Sequence, residues 1–342
     1  MTPYRAEFFD RQLNYKLFSL IERPEIKMDY LTLDKTALTV PGVAEINRGW
    51  YCRILSGSDE VYQGFVSSVT QAKNYTAVAL SPMPALFDTQ VYKDRTTYSK
   101  ANLEGWIVGI LTENFAIHNG VDGVVENIQA FSATALTSTN GVALGLEDNI
   151  HDFWRDIAKK AIENGKIVIE CVFDPQNKAV SASVKSYANI NEITLEADLP
   201  NVIEQNFTLN NRGSSPNKCL IINQDNEAER SIIISDDYEL PTVMSVEKVY
   251  VENGQTFSSS ASERAAEIFK SSEFDNLIEL QFRQDDLIVP QIKIGQPCRI
   301  IKGEKIFHTV LTGMALKGGT KTLIFGGIRV DLTKILKLKG AI

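Results

Sequence analysis

Histidine is scarce and scattered in this chain, and that alone removes much of the familiar catalytic and metal chemistry. His118, His151 and His308 are the only three. None has a second ligand or a nucleophile at a metal or triad spacing. His308 falls in an expected strand and His151 near the start of an expected helix, so both read as structural. Cys52, Cys171, Cys219 and Cys298 lie far apart with no Cys-x-x-Cys pair. They read as small apolar core residues of a protein kept in a reducing compartment. There is no Gly-x-Ser-x-Gly elbow, no His-Glu-x-x-His and no phosphate loop, since Gly165-Lys166 lacks the preceding glycine and the following hydroxyl. Positive charge is also short. With 35 Lys and Arg against 43 Asp and Glu, the net charge is −8, which argues against specific nucleic-acid binding and against adhesion to anionic membrane. No apolar run approaches the roughly 20 residues that span a bilayer. Met1 to Asp10 carries Arg5, Glu7 and Asp10 around Phe8 and Phe9, unlike a signal peptide, so synthesis in the cytoplasm without secretion by such a signal is expected.

Weaker candidates fail on geometry. The loop Asn223-Gln224-Asp225-Asn226-Glu227-Ala228-Glu229 sets oxygen donors at alternate positions, as hard cations prefer, but lacks the glycine and terminal spacing of a calcium loop; it reads as a solvated hairpin loop. Asp236-Asp237 and Asp285-Asp286 are neighbours in sequence, and adjacent strand residues point to opposite faces, so neither doublet is a glycosidase pair by itself. Trp106 and Trp154 fall on apolar helical stripes and read as core. Trp50 is the candidate for a subunit contact. No catalytic, cofactor-binding or metal residue is assigned, and no enzyme is expected.

What is present is strand after short strand. A chain of 342 residues predicts two or three domains. From Tyr15 to about Phe87, runs rich in Val, Ile, Leu, Tyr and Thr break at turn residues about every ten positions. Trp50–Leu55, the turn Ser56-Gly57-Ser58-Asp59 and Val61–Val66 predict a hairpin, and Val66–Val69 and Tyr75–Leu80 across Lys73-Asn74 predict another. The period then becomes helical: Leu103, Trp106, Ile107, Ile110, Leu111 and Phe115 share one face. A second helix is predicted from about Asn149 to Asn164, capped by Asp148 and ended by Gly165. The strands Ile167–Phe173 and Ala179–Val184 follow. Later, Cys219–Ile222 and Arg230–Ile234 are strands, a capping box Ser260-Ala261-Ser262-Glu263 opens a helix over Arg264 to Lys270, and strands resume almost to the end.

The last strand region repeats the first. Gly49-Trp50-Tyr51-Cys52-Arg53-Ile54-Leu55 aligns with Gly295-Gln296-Pro297-Cys298-Arg299-Ile300-Ile301, a shift of 246 (295 minus 49). Val61–Val66 then matches Ile306–Leu311 with one residue deleted, and Leu38-Thr39-Val40-Pro41 is set against Leu287-Ile288-Val289-Pro290. Shared Val-Pro, Gly and Cys-Arg-Ile in one order favour duplication over the alternation common to all strands. Three chains with two similar barrels each would present six, which is what joining a sixfold tube to a threefold tip requires.

In the stretch Tyr62-Gln63-Gly64-Phe65-Val66 leading to Leu80-Ser81-Pro82-Met83-Pro84-Ala85-Leu86-Phe87-Asp88, in the Leu103–Phe115 helix, and in Asp152-Phe153-Trp154-Arg155-Asp156-Ile157-Ala158 followed by Ile167-Val168-Ile169-Glu170, the chain resembles the tail hub family of long-tailed phages and prophages. That family is related to contractile-baseplate hubs and to the N-terminal part of type VI secretion spikes and tail-associated lysins. The resemblance implies an α+β, mainly β protein: two similar small β-barrels flanking a central α+β domain. The expected bounds are 1–95 for the first barrel, 96–200 for the centre, 201–250 and 275–335 for the second barrel with a helical insertion at about 251–274, and 336–342 for a C-terminal tail. It also implies a homotrimer at the virion tail tip, which joins and closes the tail tube. Its partners would be the distal tail protein or tube, the tape measure protein, and a receptor-binding or lytic tip protein, with DNA passing through the lumen. Many relatives continue into a peptidoglycan-cleaving or receptor-binding module, for which only Leu336–Ile342 remains here. The alternative reading is a cell-wall-directed hydrolase or carbohydrate-binding tail protein.

Overall fold

A computed structural model describes residues 4–22, 24–29, 33–87, 91–93, 102–117, 131–136, 150–158, 161–162, 167–209, 218–223, 226, 228–234, 246–251, 261–262, 265, 274, 276–284 and 292–327. The first sheet is built from β1 (Tyr4–Phe9), β2 (Tyr15–Ile21), β4 (Thr36–Pro41), β5 (Tyr51–Ser56), β6 (Asp59–Gln71) and β7 (Tyr75–Pro82). Asp10 makes the first turn: Oδ1 accepts from the Gln12 and Asn14 amides at 3.0 and 2.9 Å, while Leu13 takes a left-handed backbone. The antiparallel order is β2-β1-β5-β6-β7-β4, and the sheet curls until β2 lies beside β4. Period-2 alternation buries Ala6, Phe8, Cys52, Ile54, Val66, Val78 and Leu80 inside the curl.

The second curled sheet uses β13 (Ile193–Glu196), β14 (Val202–Thr208), β18 (Leu277–Arg283), β19 (Pro297–Lys302), β20 (Lys305–Lys317) and β21 (Thr320–Gly326) in the order β13-β19-β20-β21-β18-β14. Ile278, Leu280, Cys298, Ile300, Leu311, Leu323 and Phe325 fill it. One strand arrives from the other end of the chain: β3 (Ile26–Asp29) pairs with β20.

Between the barrels lies an α+β unit. Helix α1 (Leu103–Leu111) is capped by the Asn102 side chain, which accepts from the Gly105 amide at 2.8 Å, and it runs on as a wider π-type turn through Ile117. β9 (Phe131–Leu136), β11 (Ile167–Asp174) and β12 (Ala179–Ser186) form a sheet in the order β11-β12-β9. The expected helix at Asn149–Asn164 begins later than its pattern suggests. Ile150–Asp152 is instead a short strand, β10, held by β8 (Val91–Lys93), and π-type turns follow over Phe153–Ala158. Its stripe of Phe153, Trp154, Ile157, Ala158, Ala161 and Ile162 is nonetheless buried with α1 and the sheet.

β15 (Lys218–Asn223), β16 (Arg230–Ile234) and β17 (Val246–Val251), expected as second-barrel strands, form their own sheet in the order β16-β15-β17, with Ala261 and Ala265 packed on Cys219 and Ile221. Ala261, Ser262 and Ala265 are helical. Ser260, Glu263 and most of the expected 264–270 helix lie outside the described residues, as does the 336–342 tail. The fold is mainly β with an α+β centre and two barrel-like sheets.

Candidate assembly interface

The two barrels share more than strand order. Gly49 and Gly295 sit at φ +84° and +83°, a left-handed conformation that glycine adopts without a Cβ clash. Each donates to the partner of the strand it precedes, Gly49 N–H to Val66 O of β6 and Gly295 N–H to Leu311 O of β20, both at 2.8 Å. The next residues close the same turn, from Trp50 to Asn47 and from Gln296 to Lys293. Gly57 and Gly303 make the hairpin turns at φ +64° and +57°.

The one-residue difference in length between the two aligned hairpins has a structural meaning. In the first copy Ile54 faces Tyr62 but Leu55 faces Glu60, so Val61 is an extra residue in a bulge. In the second copy β19 and β20 pair without interruption. A second bulge is kept in both. Ser67 interrupts β6 against β7 and Thr312 interrupts β20 against β21. Both bulge hydroxyls reach across to the neighbouring strand: Ser67 Oγ donates to Ala79 O at 3.1 Å, and Thr312 Oγ1 lies 3.2 Å from the equivalent Ile324 O and 2.7 Å from Gly326 O. Upstream, the structure departs from the Val-Pro alignment. β18 occupies the place of β4, because Ile278 faces Phe325 as Thr36 faces Leu80; Leu287–Pro290 lies beyond it and outside the described residues. The two barrels differ where their outer neighbours differ. Arg53 binds Glu7 of the antiparallel β1 at 2.6 Å, whereas Arg299 faces Thr194 of the parallel β13.

The barrels are joined edge to edge. β3 leaves the first barrel and pairs along Gly313–Leu316 of β20. Leu316 belongs to a second-barrel strand but buries its side chain among Ile21, Ile26 and other residues of the first core, and Met28 touches both cores. Lys317 reaches Glu25 at 3.2 Å across the same joint.

The centre docks on the outer face of the first hairpin. Gln63 grips the Phe173 backbone with both ends of its amide, donating to the carbonyl at 3.1 Å and accepting from the N–H at 2.9 Å. The Phe173 ring packs on Phe9 and Tyr51, with centroids 5.7 and 5.2 Å apart. On the second-barrel side, Glu170 binds Lys185 of β12 at 2.8 Å and Lys293 of the loop before β19 at 3.3 Å. Burial pushes the Glu170 carboxyl up, but the two lysines outweigh it and hold it below its ordinary value of 4.5. A lowered folded pKa stabilises above the unfolded pKa, and that contribution is lost as pH falls through the folded one. Glu170→Gln should therefore lower stability at neutral pH and flatten the acid side of the stability profile. Urea midpoints measured from pH 3 to 7 check this; parallel profiles for both proteins would contradict it.

The other sequence candidates do not converge. His308 is exposed on β20, its Nδ1 2.9 Å from Glu192. His151 is in β10, and His118, Asp236, Asp237, Asp285, Asp286, Gly165 and Lys166 lie outside the described residues. In the Asn223–Glu229 loop, read from the sequence as solvated, Asn223 Nδ2 donates to Glu229 Oε2 at 2.8 Å, and no group of three potential ligands exists among the described residues. Trp106 and Trp154 are central core; Trp50 is half-buried against the first barrel, while its counterpart Gln296 donates to Asn191 O at 2.8 Å. All four cysteines are buried and unbridged. Burial raises the thiols of Cys52 and Cys171, and that of Cys298 to about 12, so they stay protonated and unreactive. Among the described residues no helix is long and apolar enough to cross a membrane. Sequence reasoning missed Gln63, Phe173, Leu316 and the β3 contact; only the apolar Leu316 aligned with polar Gln71 marked the joint.

No family model and no curated protein sequence matches the chain. Solved structures do. The tail protein from Neisseria meningitidis MC58 superposes with a TM-score of 0.60 at 11% identity, over 94% of this chain and 96% of that one. The chain has the fold of phage tail proteins. The 43 kDa tail protein of prophage MuSo2 from Shewanella oneidensis matches at TM-score 0.58 and 11% identity, over 96% of this chain and all of that one (100%). A chain of the phage P2 baseplate in its activated conformation matches at 0.51 and 11%, over 94% and 98%. At such identities the tail-protein likeness is one of fold, carried along the whole length rather than by one barrel.

Proposed function

We propose that this chain is a structural component of a phage-type tail tip or baseplate, a trimeric hub that joins and closes the end of the tail tube and is not an enzyme. The observation that carries the reading is the pair of barrels with matching strand order, glycines and hydroxyl-capped bulges, in a chain whose tail-protein fold extends end to end. The repeat is read as a duplication. Three copies place six similar barrels around one axis, so the ring offers pseudo-sixfold contacts to a tube and threefold contacts to a tip. Its partners are then the distal tail protein or tube, the tape measure protein and a receptor-binding or lytic tip protein, and its location is the virion tail tip. The net charge of −8 suits a lumen that does not hold DNA phosphates.

Class averages of the purified protein by electron microscopy test the ring. Six similar lobes around a central hole are expected. Compact particles without a hole at all concentrations would contradict it.

A further inference from the structure

The joint within the chain points to a second strand edge that is unfilled among the described residues. On β20, residues Gly313–Leu316 have β21 on one side and β3 on the other. Their equivalents on β6 are Ser68–Gln71, which pair with Ala79–Thr76 of β7. On the opposite side the ladder with β5 ends at Phe65, the backbone bonds of Trp50 and Gly49 extend it to Val66, and no described strand continues past that point. In an antiparallel ladder the backbone groups alternate between the two edges. The turn bond from Ala72 N–H to Tyr75 O sets the phase, so the N–H and C=O of Val69 and Gln71 face the open side. An open strand edge is a template for another chain.

The same comparison says what fills it. In chain order β3 comes between β2 and β4, and between β14 and β18, which hold the corresponding positions in the second barrel, come the strands of the β16-β15-β17 sheet. That sheet also ends in an open edge. Among the described residues β16 pairs only with β15, and Ile232 and Ile234 are 60% and 48% exposed on it. An apolar edge strand left in water is an aggregation hazard.

We propose that β16 of one copy pairs with the Ser68–Gln71 edge of β6 in a second copy, as β3 pairs with β20 within a copy. This rests on the trimeric reading and adds to it the strands that close the ring. Each chain then supplies one edge and one strand, and the contact is head-to-tail, the type that closes a ring.

Cysteines placed at Thr70 and Ile232 in one chain, treated with a short bismaleimide, test it in the full-length protein. The four native cysteines are buried and leave the reagent to the new pair. The expected result is a covalent species of three chains on a denaturing gel, at least tenfold more abundant than with either single variant. Val69→Pro, which removes an open-edge donor, and Ile232→Lys with Ile234→Lys are each expected to return the trimer to the mass of one chain with an unchanged circular dichroism spectrum. A trimer with no cross-link, insensitive to these changes, overturns the strand pairing and leaves the trimer standing. A monomer at every concentration with no cross-link overturns both. Capture of a foreign protein's strand at Ser68–Gln71 in place of β16 also overturns it.

Discussion

Leu316→Ala should destabilise the protein by about 2–5 kcal/mol, although its counterpart in the first barrel, Gln71, can be changed to Ala at a cost within about 0.5 kcal/mol. Leu316 is 4% exposed and is the second barrel's contribution to the first barrel's core; Gln71 is exposed. Truncating Leu316 leaves a cavity at the joint between the two barrels, where β3 pairs with β20 and its Met28 touches both cores. The Lys317–Glu25 pair is exposed and screened by solvent, so it does not replace the lost packing. Urea unfolding followed by tryptophan fluorescence measures the difference. Equal midpoints for the two variants would mean that the barrels do not depend on this contact.

The seam to the central unit should be as sensitive. Phe173→Ala is expected to cost about 3–5 kcal/mol, because the ring is 2% exposed and sits edge-on to Phe9 and tilted on Tyr51. Gln63→Ala leaves the Phe173 N–H and C=O without partners in a partly buried site, at about 1–3 kcal/mol. Because both changes act on one contact, the double variant should lose less than the sum of the two. Strict additivity in the same urea experiment would show that the grip and the ring act independently.

The hairpins were legible because alternation and turn residues act locally: Gly57 and Lys73-Asn74 stand where the strands reverse, and Leu103–Phe115 carries a helical stripe that the structure buries. The repeat was legible through its glycines, whose left-handed backbone tolerates few replacements, and through Cys-Arg-Ile, whose outer residues are core in both copies. The one-residue deletion also showed, but its identity as a bulge did not, since a bulge is defined by the partner strand. What stayed hidden depends on distant pairing. β3 is four residues long, too short for its own period to announce that it serves the other barrel. The expected helix at 149–164 loses its first turn to a three-residue ladder with β8, a tertiary choice that outweighs propensity. The Val-Pro alignment does not follow the strands: β18 holds the place of β4, so strand position rather than a dipeptide relates the two barrels there. For the site, Gln63 and Phe173 lie 110 residues apart, and nothing in either neighbourhood marks the other.

The central claim is that one chain supplies two of six similar ring positions, and absolute mass by light scattering tests it most directly. Three times 38.1 kDa, about 114 kDa, across a wide concentration range is the predicted result. A mass that stays at 38.1 kDa at every concentration would contradict it.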